Sequence, residues 1–318
     1  MSVTIGVDIG GTKIAGAVVS ATGEILACAR RDTPAHDPDQ IARDVAALVT
    51  DLGRGRDDVR AVGVACAGFV DRTGSTVLFA PNLAWRDEPM KMRLEALLDL
   101  PVIIENDANA AAWGEFRYGA ATEADDMLLV TVGTGIGGGV VVDSQLMRGA
   151  YGIAGELGHM RVVPDGIRCG CGNRGCWEVY ASGNALVREA RELVGSGALN
   201  GVALSDACGG DPSKLMGHHV TTVAQAGDPA AAELLADLGR WLGEGAASMA
   251  AVLDPELIVI GGGVIAAGEL LLGPARAAYG RQLSGRGHRP VAQIVPAALG
   301  NDAGMIGAAA LAAEGVGR

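Results

Sequence analysis

Two apolar runs of strand length open the chain, VTIGV at 3–7 and IAGAVV at 14–19, and a polar bend, Asp8-Ile9-Gly10-Gly11-Thr12-Lys13, separates them. Short β-branched runs on either side of a glycine-bearing bend predict a hairpin. The plan recurs at 128–143, LLVTVGTGIGGGVVVD, with Gly133-Thr134-Gly135 as the bend. Two copies about 120 residues apart point to a duplicated domain, not a solenoid. Helical periodicity lies between and beyond them. Asp37-Pro38 suits an N-cap and first helical position, after which Ile41, Val45, Leu48, Val49 and Leu52 recur at helical spacing until Gly53. Asp228-Pro229 opens a longer pattern through Leu234, Leu238, Trp241, Leu242 and Met249, closing near Asp254-Pro255. The run LIVI that follows predicts a strand ending in Gly261-Gly262-Gly263. Strands alternating with helices give an α/β class.

The length of 318 residues exceeds one ordinary core and suits two domains. The expected division is 1–111 together with 301–318, whose helix from Asp302 to Ala313 returns to the first lobe, and 112–300 as the second. With 49% hydrophobic and 19% charged residues the whole chain has a core to bury. A formal charge of −12, with no run of Lys or Arg, repels a phosphate backbone, so nucleic acid is not expected as a partner. Only three of the 25 basic residues are lysine (Lys13, Lys91, Lys214), a bias read as that of a GC-rich genome. The N-terminus lacks the pattern of a signal peptide, and no apolar stretch reaches the roughly 18 residues that span a bilayer. A cytoplasmic protein without a membrane partner is expected. Cys169, Cys171 and Cys176 cluster while Cys28, Cys66 and Cys208 are scattered, which suits a metal site in a reducing compartment better than a disulfide framework.

Four segments carry candidate chemistry. At 8–13, Gly10, Gly11 and Thr12 could bring N–H and hydroxyl donors to a phosphate, and Asp8 could hold Mg²⁺ through water; a plain tight turn is the alternative. The bend at 133–135 has the same two readings, and it continues as a strand instead of opening a helix, unlike a dinucleotide fingerprint. Gly261, Gly262 and Gly263 form a third glycine turn, which could lie beside a nucleoside. The two phosphate-type turns, each between strands of duplicated halves, describe the clamp of an actin-like ATPase. In VIIENDANAAAWGE, 102–115, a strand ends at Glu105-Asn106-Asp107 where a helix begins, so Asp107 could accept a proton from an attacking hydroxyl; either Asn106 or Asp107 could instead be an N-cap. Finally His159 with Cys169, Cys171 and Cys176 makes a Cys₃His set, the complement of a closed structural zinc site. Glu156 and Glu178 flank it and suit sugar hydroxyls.

In their order, DIGGTK, ENDANAAAWGE, VTVGTGIGGGVV, GELGH, CGCGNRGCWE, IVIGGGV and NDAGMIGAA resemble the ROK family of bacterial sugar kinases and repressors, specifically its glucokinases, over nearly the whole chain. The resemblance implies a two-lobed actin-like ATPase (ribonuclease H-like) fold with a cleft between duplicated domains. It implies ATP-dependent phosphorylation of glucose at O6, or of a related hexose or N-acetylhexosamine, with Asp107 as catalytic base. Asn106, Asp107, Glu156, His159 and Glu178 would bind sugar. Asp8, Gly10, Gly11, Thr12, Lys13, Gly133, Thr134, Gly135 and Gly261 to Gly263 would meet Mg·ATP, and His159, Cys169, Cys171 and Cys176 would hold zinc. It also implies a homodimer or homotetramer. The family's repressors carry a helix-turn-helix ahead of the first hairpin, whereas here the first strand starts close to Met1, which argues against a DNA-binding role. Two other classes compete: a sugar-binding regulator without turnover, which intact Asp107 opposes, and a filament-forming ATPase, which the cysteine loop opposes.

Overall fold

The computed structural model describes residues 2–316. In chain order, strands β1 (Val3–Ile9), β2 (Lys13–Val19) and β3 (Ile25–Asp32) lead to helix α1 (Pro38–Gly53) and strand β4 (Val59–Cys66). The short strands β5 (Phe69–Val70), β6 (Val77–Ala80) and β7 (Trp85–Glu88), helix α2 (Met90–Leu97), strand β8 (Val102–Asn106) and helix α3 (Asp107–Tyr118) follow. Next come β9 (Met127–Val132), β10 (Ile136–Val142) and β11 (Gln145–Leu146), then α4 (Glu178–Ala181), α5 (Gly183–Gly195), α6 (Val202–Ala207), α7 (Gly217–Gln225) and α8 (Pro229–Leu253). Strand β12 (Leu257–Gly261), helix α9 (Glu269–Gln282), strand β13 (Gln293–Pro296) and helix α10 (Ala303–Val316) complete the chain. No helix among the described residues is long and apolar enough to cross a membrane.

Contacts divide the chain into two compact units, one of Met1–Leu129, Gly139–Gly155 and Ala297–Arg318, the other of Val130–Gly138 and Glu156–Pro296. Met1, Gly317 and Arg318, the last two being the end of the expected 301–318 segment, lie outside the described residues. The expected division at 111/112 falls within α3.

In the first unit the sheet order is β3-β2-β1-β4-β8, with β1–β2 and β2–β3 antiparallel and β1–β4 and β4–β8 parallel. Strands β1, β2 and β4 are buried along most of their length, as strands covered on both faces must be, while the edge strand β3 alternates half-buried and exposed residues. Alternation along β1 sends Ile5, Val7 and Ile9 into one core with Ile41, Val45, Leu48 and Val49 of α1. That helix begins where the Asp37 side chain accepts the Gln40 N–H at 2.9 Å and Pro38 takes a first-turn position with no donor to lose. Each of its fully buried side chains contributes about 1.5–3 kcal/mol relative to exposure. The opposite face of the sheet receives α10, through Ala15, Ala17, Val19, Met305 and Ala309 and through Ala65, Ala110 and Ala308. There the packing is backbone on backbone: a Cβ on Gly6 would fall on the Met305 carbonyl, one on Gly63 on the Ala308 carbonyl, and one on Gly307 on the Ala110 carbonyl.

The second unit contains β12 and β13, paired in parallel. Its longest helix, α8, is capped where the Asp228 side chain accepts the Ala231 N–H at 2.8 Å, and it ends at Asp254 in the left-handed region. Gly239 and Gly243 let the backbone of α9 approach α8.

Gly63→Ala tests the close approach of α10. Because the clash is with backbone, the variant should lose at least about 3 kcal/mol of unfolding free energy in a urea titration, or fail to fold, well beyond the roughly 1 kcal/mol typical of point substitutions. A midpoint equal to that of the native chain would refute the packing described.

Candidate active site

Strand register decides which side chains meet in the first unit. Asp8 pairs with Ala65 and Ala65 with Glu105, while Ile9 pairs with Cys66 and Cys66 with Asn106. The C-terminal ends of β1, β4 and β8 are therefore level, and Asp8 and the Asn106-Asp107 corner emerge at one sheet edge, where α/β sheets hold ligands. The two readings of that corner divide between its residues. Asn106 is the cap of α3, its Oδ1 accepting the Asn109 N–H at 3.0 Å, while its Nδ2 donates to the Gly68 carbonyl and to Asp107 Oδ1, both at 3.1 Å. Asp107 is the first residue of the helix, and its Oδ1 also accepts the Ala108 N–H at 3.0 Å.

Electrostatics mark both carboxyls. Burial, and then the charge of Asp107, push Asp8 up to about 6 against the pull of the Lys13 ammonium. Burial also raises Asp107 above the ordinary carboxylate range, opposed by its bonds from Ala108 N–H and the Asn106 amide. In the adjoining turn Gly10 N–H donates to the Lys13 carbonyl at 2.9 Å, and Thr33 donates its hydroxyl to the Gly10 carbonyl at 2.8 Å and its N–H to the Thr12 carbonyl at 3.1 Å. The turn is thus closed from behind, with Thr12 and Lys13 exposed and Gly10 and Gly11 half-buried. The first turn of α10 lies alongside, where a Cβ on Gly304 would stand 3.5 Å from Asp8 Oδ2.

In the second unit the bend at 133–135 is held by Gly133 N–H donating to the Gly135 carbonyl at 3.0 Å and by Gly183 N–H donating to the Gly133 carbonyl at 2.8 Å. Gly133 and exposed Thr134 form one wall of a cavity of about 660 Å³, and Gly263 another. Gly262 has φ +88° and passes under the Val132 carbonyl, so a side chain there is excluded twice, while Gly261 ends β12. The remaining walls come from α5 and α7, including Asn184, His218 and Thr221. Sequence reasoning missed these residues. Their segment carries only amphipathic helical spacing, and a helix that lines a cavity has the same pattern as one that lines a core.

The cysteine loop gathers as its spacing predicts. One donor atom from each of His159, Cys169, Cys171 and Cys176 lies within 4.8 Å of the others, with Cys171 Sγ to Cys176 Sγ and Cys169 Sγ to His159 Nδ1 both 3.7 Å. A tetrahedral zinc with Zn–S near 2.3 Å and Zn–N near 2.0–2.1 Å needs donors roughly 3.5–3.8 Å apart, so the set fits such an ion. The next residue anchors it: Trp177 is fully buried and its indole N–H donates to the Trp241 carbonyl at 2.9 Å. Glu178 sits tight against this cluster. Cys169 donates its thiol to Glu178 Oε1 at 3.0 Å, His159 Nδ1 is 3.6 Å from that oxygen, and a Cβ on Gly135 would fall on Glu178 Oε2. Burial and this carboxylate push the Cys169 thiol well above its ordinary range. The other imidazole nitrogen, Nε2, faces Glu156 Oε2 at 3.8 Å. Glu156, His159 and Glu178 therefore form one group with the cysteines, bridging the donor cluster to the glycine bend.

The sequence pattern of the ROK family matches residues 4–315. A glucokinase of Streptomyces coelicolor is 46% identical over 314 residues, covering 99% of this chain and 98% of its own length. A glucokinase of Halalkalibacterium halodurans is 38% identical, covering 95% of this chain and 92% of its own length. Among solved structures, a ROK family glucokinase from Streptomyces griseus in complex with glucose and AMPPNP is 47% identical and superposes with a TM-score of 0.89, covering 98% of this chain and 100% of that one.

The raised Asp8 carboxyl has a consequence for stability. Its folded pKa of about 6 lies above the ordinary 3.8, so the folded chain keeps a proton that the unfolded chain has released. The contribution of Asp8 to stability is then fully present below 3.8, declines as pH rises towards 6, and stays lower above it, by up to roughly 3 kcal/mol. Without nucleotide or magnesium, Asp8→Asn should melt a few degrees higher than the native chain at pH 7.5, and the gain should vanish by about pH 4. Scanning calorimetry across that range checks it, and a lower melting temperature for the variant at pH 7.5 would contradict the assigned burial.

Proposed function

The chain belongs to the ROK family, and on that premise we propose that it is an ATP-dependent glucokinase, transferring the γ-phosphoryl of Mg·ATP to O6 of glucose to give glucose 6-phosphate and ADP. The reading is supported by near full-length identity to glucokinases of 46% and 47%. The observation that carries it is the Asp107 carboxyl, held at the end of β8 with a raised pKa beside Asp8 and the glycine turn. In this reading the two units are the lobes of an actin-like ATPase fold. Asp107 takes the proton of the sugar O6 hydroxyl as that oxygen forms its bond to phosphorus and the bond to the ADP oxygen breaks. A base whose pKa is raised towards the working pH is better matched to an alcohol proton than an ordinary carboxylate, and such help is worth roughly 10²–10⁴-fold. Asn106 orients the base through its amide. Gly10, Gly11, Thr12 and Lys13, with Gly133 to Gly135, offer backbone, hydroxyl and ammonium donors to phosphates, and the 660 Å³ cavity beside Gly263 suits a nucleoside. Positioning and charge neutralisation supply most of the acceleration in phosphoryl transfer.

Two ions enter the reading. Magnesium, when bound, neutralises phosphate charge, and Asp8 fits it as one carboxylate beside a phosphate turn. Zinc fits His159 through Nδ1 together with Cys169, Cys171 and Cys176, and its binding supplies folding free energy to a glycine-rich loop. Glu156 and His159 Nε2 would then face sugar hydroxyls, with Glu178 beside them.

A coupled assay of ADP release, run over glucose, mannose, fructose, N-acetylglucosamine and N-acetylmannosamine, tests the substrate: glucose should give the highest kcat/KM. Greater turnover with another sugar would reassign it within the family. Asp107→Asn should lower kcat by about 10²–10⁴-fold and leave glucose affinity within a few fold, because the amide keeps the shape and loses the base. Near-native kcat in that variant would remove Asp107 from its role.

Elemental analysis of the native chain should find about one zinc per chain, and Cys171→Ser should lose it. Its KM for glucose should rise strongly, with nucleotide affinity little changed. Full activity in metal-free protein would show that the cluster does not support the sugar site.

A further inference from the structure

Glu105 precedes the Asn106-Asp107 corner and is 3% exposed. A carboxylate so buried needs its oxygens occupied and its charge matched. Three donors do this. Oε1 accepts the backbone N–H of Asn106 at 3.0 Å and the Asn109 side-chain amide at 3.1 Å, and Oε2 accepts Arg148 Nε at 2.6 Å. These bonds join the last residue of β8 to the first turn of α3, across the point where the chain turns to present Asp107. Asn109 is 1% exposed, and its Oδ1 has no partner among the described residues, so its amide is oriented from the Glu105 side. Arg148 arrives from two residues beyond β11 and keeps its side chain 27% exposed.

We propose that Glu105 and Arg148 are a positioning couple for the proposed base. Arg148 holds the Glu105 carboxylate fixed, and Glu105 holds the corner that aims Asp107. Glu105 is not itself the base, since its two oxygens are taken by three donors. The inference rests on the assignment of Asp107 and extends it to two residues outside the reacting group. If Arg148 is removed, Glu105 Oε2 loses its partner in a buried place and the side chain must turn to find another. That turn releases the corner, and a misplacement of about 1 Å in a reacting group can cost about 10²-fold in rate.

The experiment compares native enzyme with Arg148→Met, Arg148→Lys and the double variant Glu105→Gln/Arg148→Met. Arg148→Met should lower kcat about 10- to 100-fold while the KM values for glucose and ATP stay within about threefold, the pattern of lost geometry rather than lost binding. Arg148→Lys, which keeps the charge and one donor, should recover kcat to within about fivefold of native. The double variant buries no unpaired charge and should fold even if Arg148→Met does not. It should remain as slow as Arg148→Met, because removing one half of a couple already removes its effect. A double variant with kcat within twofold of native would overturn the proposal and leave an ion pair that only stabilises. So would Arg148→Met with native kcat and a lowered melting temperature. Asp107→Asn, assayed alongside, separates the two levels: its inactivity upholds the base whatever Arg148 does, and its full activity removes the base itself.

Discussion

Helix α10 lies so close to β1, β4 and α3 that backbone meets backbone, and the site of the first unit depends on that contact. Gly6, Gly63 and Gly307 stand where carbonyls of Met305, Ala308 and Ala110 pass. A side chain at any of them would lift the helix from the sheet. The N-terminal turn of the same helix stands beside Asp8, so its seating also sets what surrounds that carboxyl. Glu115 reinforces the arrangement from beneath: wholly buried, it accepts N–H groups from Ala298 at 3.0 Å and Leu299 at 2.7 Å, just ahead of α10, and from Ala120 at 2.8 Å. A carboxylate bound by three backbone donors is a rigid joint. Core packing and site geometry in this unit are one problem.

That rigidity holds together a pair of groups that would separate in water. Asp8 and Asp107 are buried at one sheet edge; burial raises the proton affinity of both and the charge of Asp107 raises that of Asp8 further, which opposes folding at neutral pH. Such a pair persists because strand register brings the ends of β1, β4 and β8 level, and with them the two carboxylates. Cationic substrates or ions that relieve the repulsion bind with that relief added to their contacts. A site that costs stability when empty and recovers it when filled is the expected form for a kinase handling a metal-bound triphosphate.

Much of this was legible in the chain. The hairpins announced themselves by apolar runs around Gly10-Gly11 and Gly133-Thr134-Gly135, and Asp37-Pro38 and Asp228-Pro229 opened α1 and α8 at the expected residues because capping is a local interaction. The cysteine cluster was legible for a similar reason, three of its ligands lying within one short loop. The small sheet of β5, β6 and β7 was not anticipated, since strands of two to four residues carry no period. The roles of Arg148 and Glu105 were also hidden. They are 43 residues apart, and their meeting is a consequence of tertiary structure that neither residue's neighbours encode.

The position of Glu178 shows why proximity in sequence misleads about division of labour. Read beside the cysteines, it suits a sugar hydroxyl; in the fold one oxygen meets Cys169 and the other lies under Gly135. An oxygen in that second position limits what can stand at 135, and only glycine leaves room. The glycine of the bend thus leaves passage for a carboxylate that is anchored beside the cysteine loop. If a metal holds the Cys169 sulfur as thiolate, that sulfur no longer donates a proton to Glu178, and the carboxylate must find another donor. A sugar hydroxyl is a donor of the required kind.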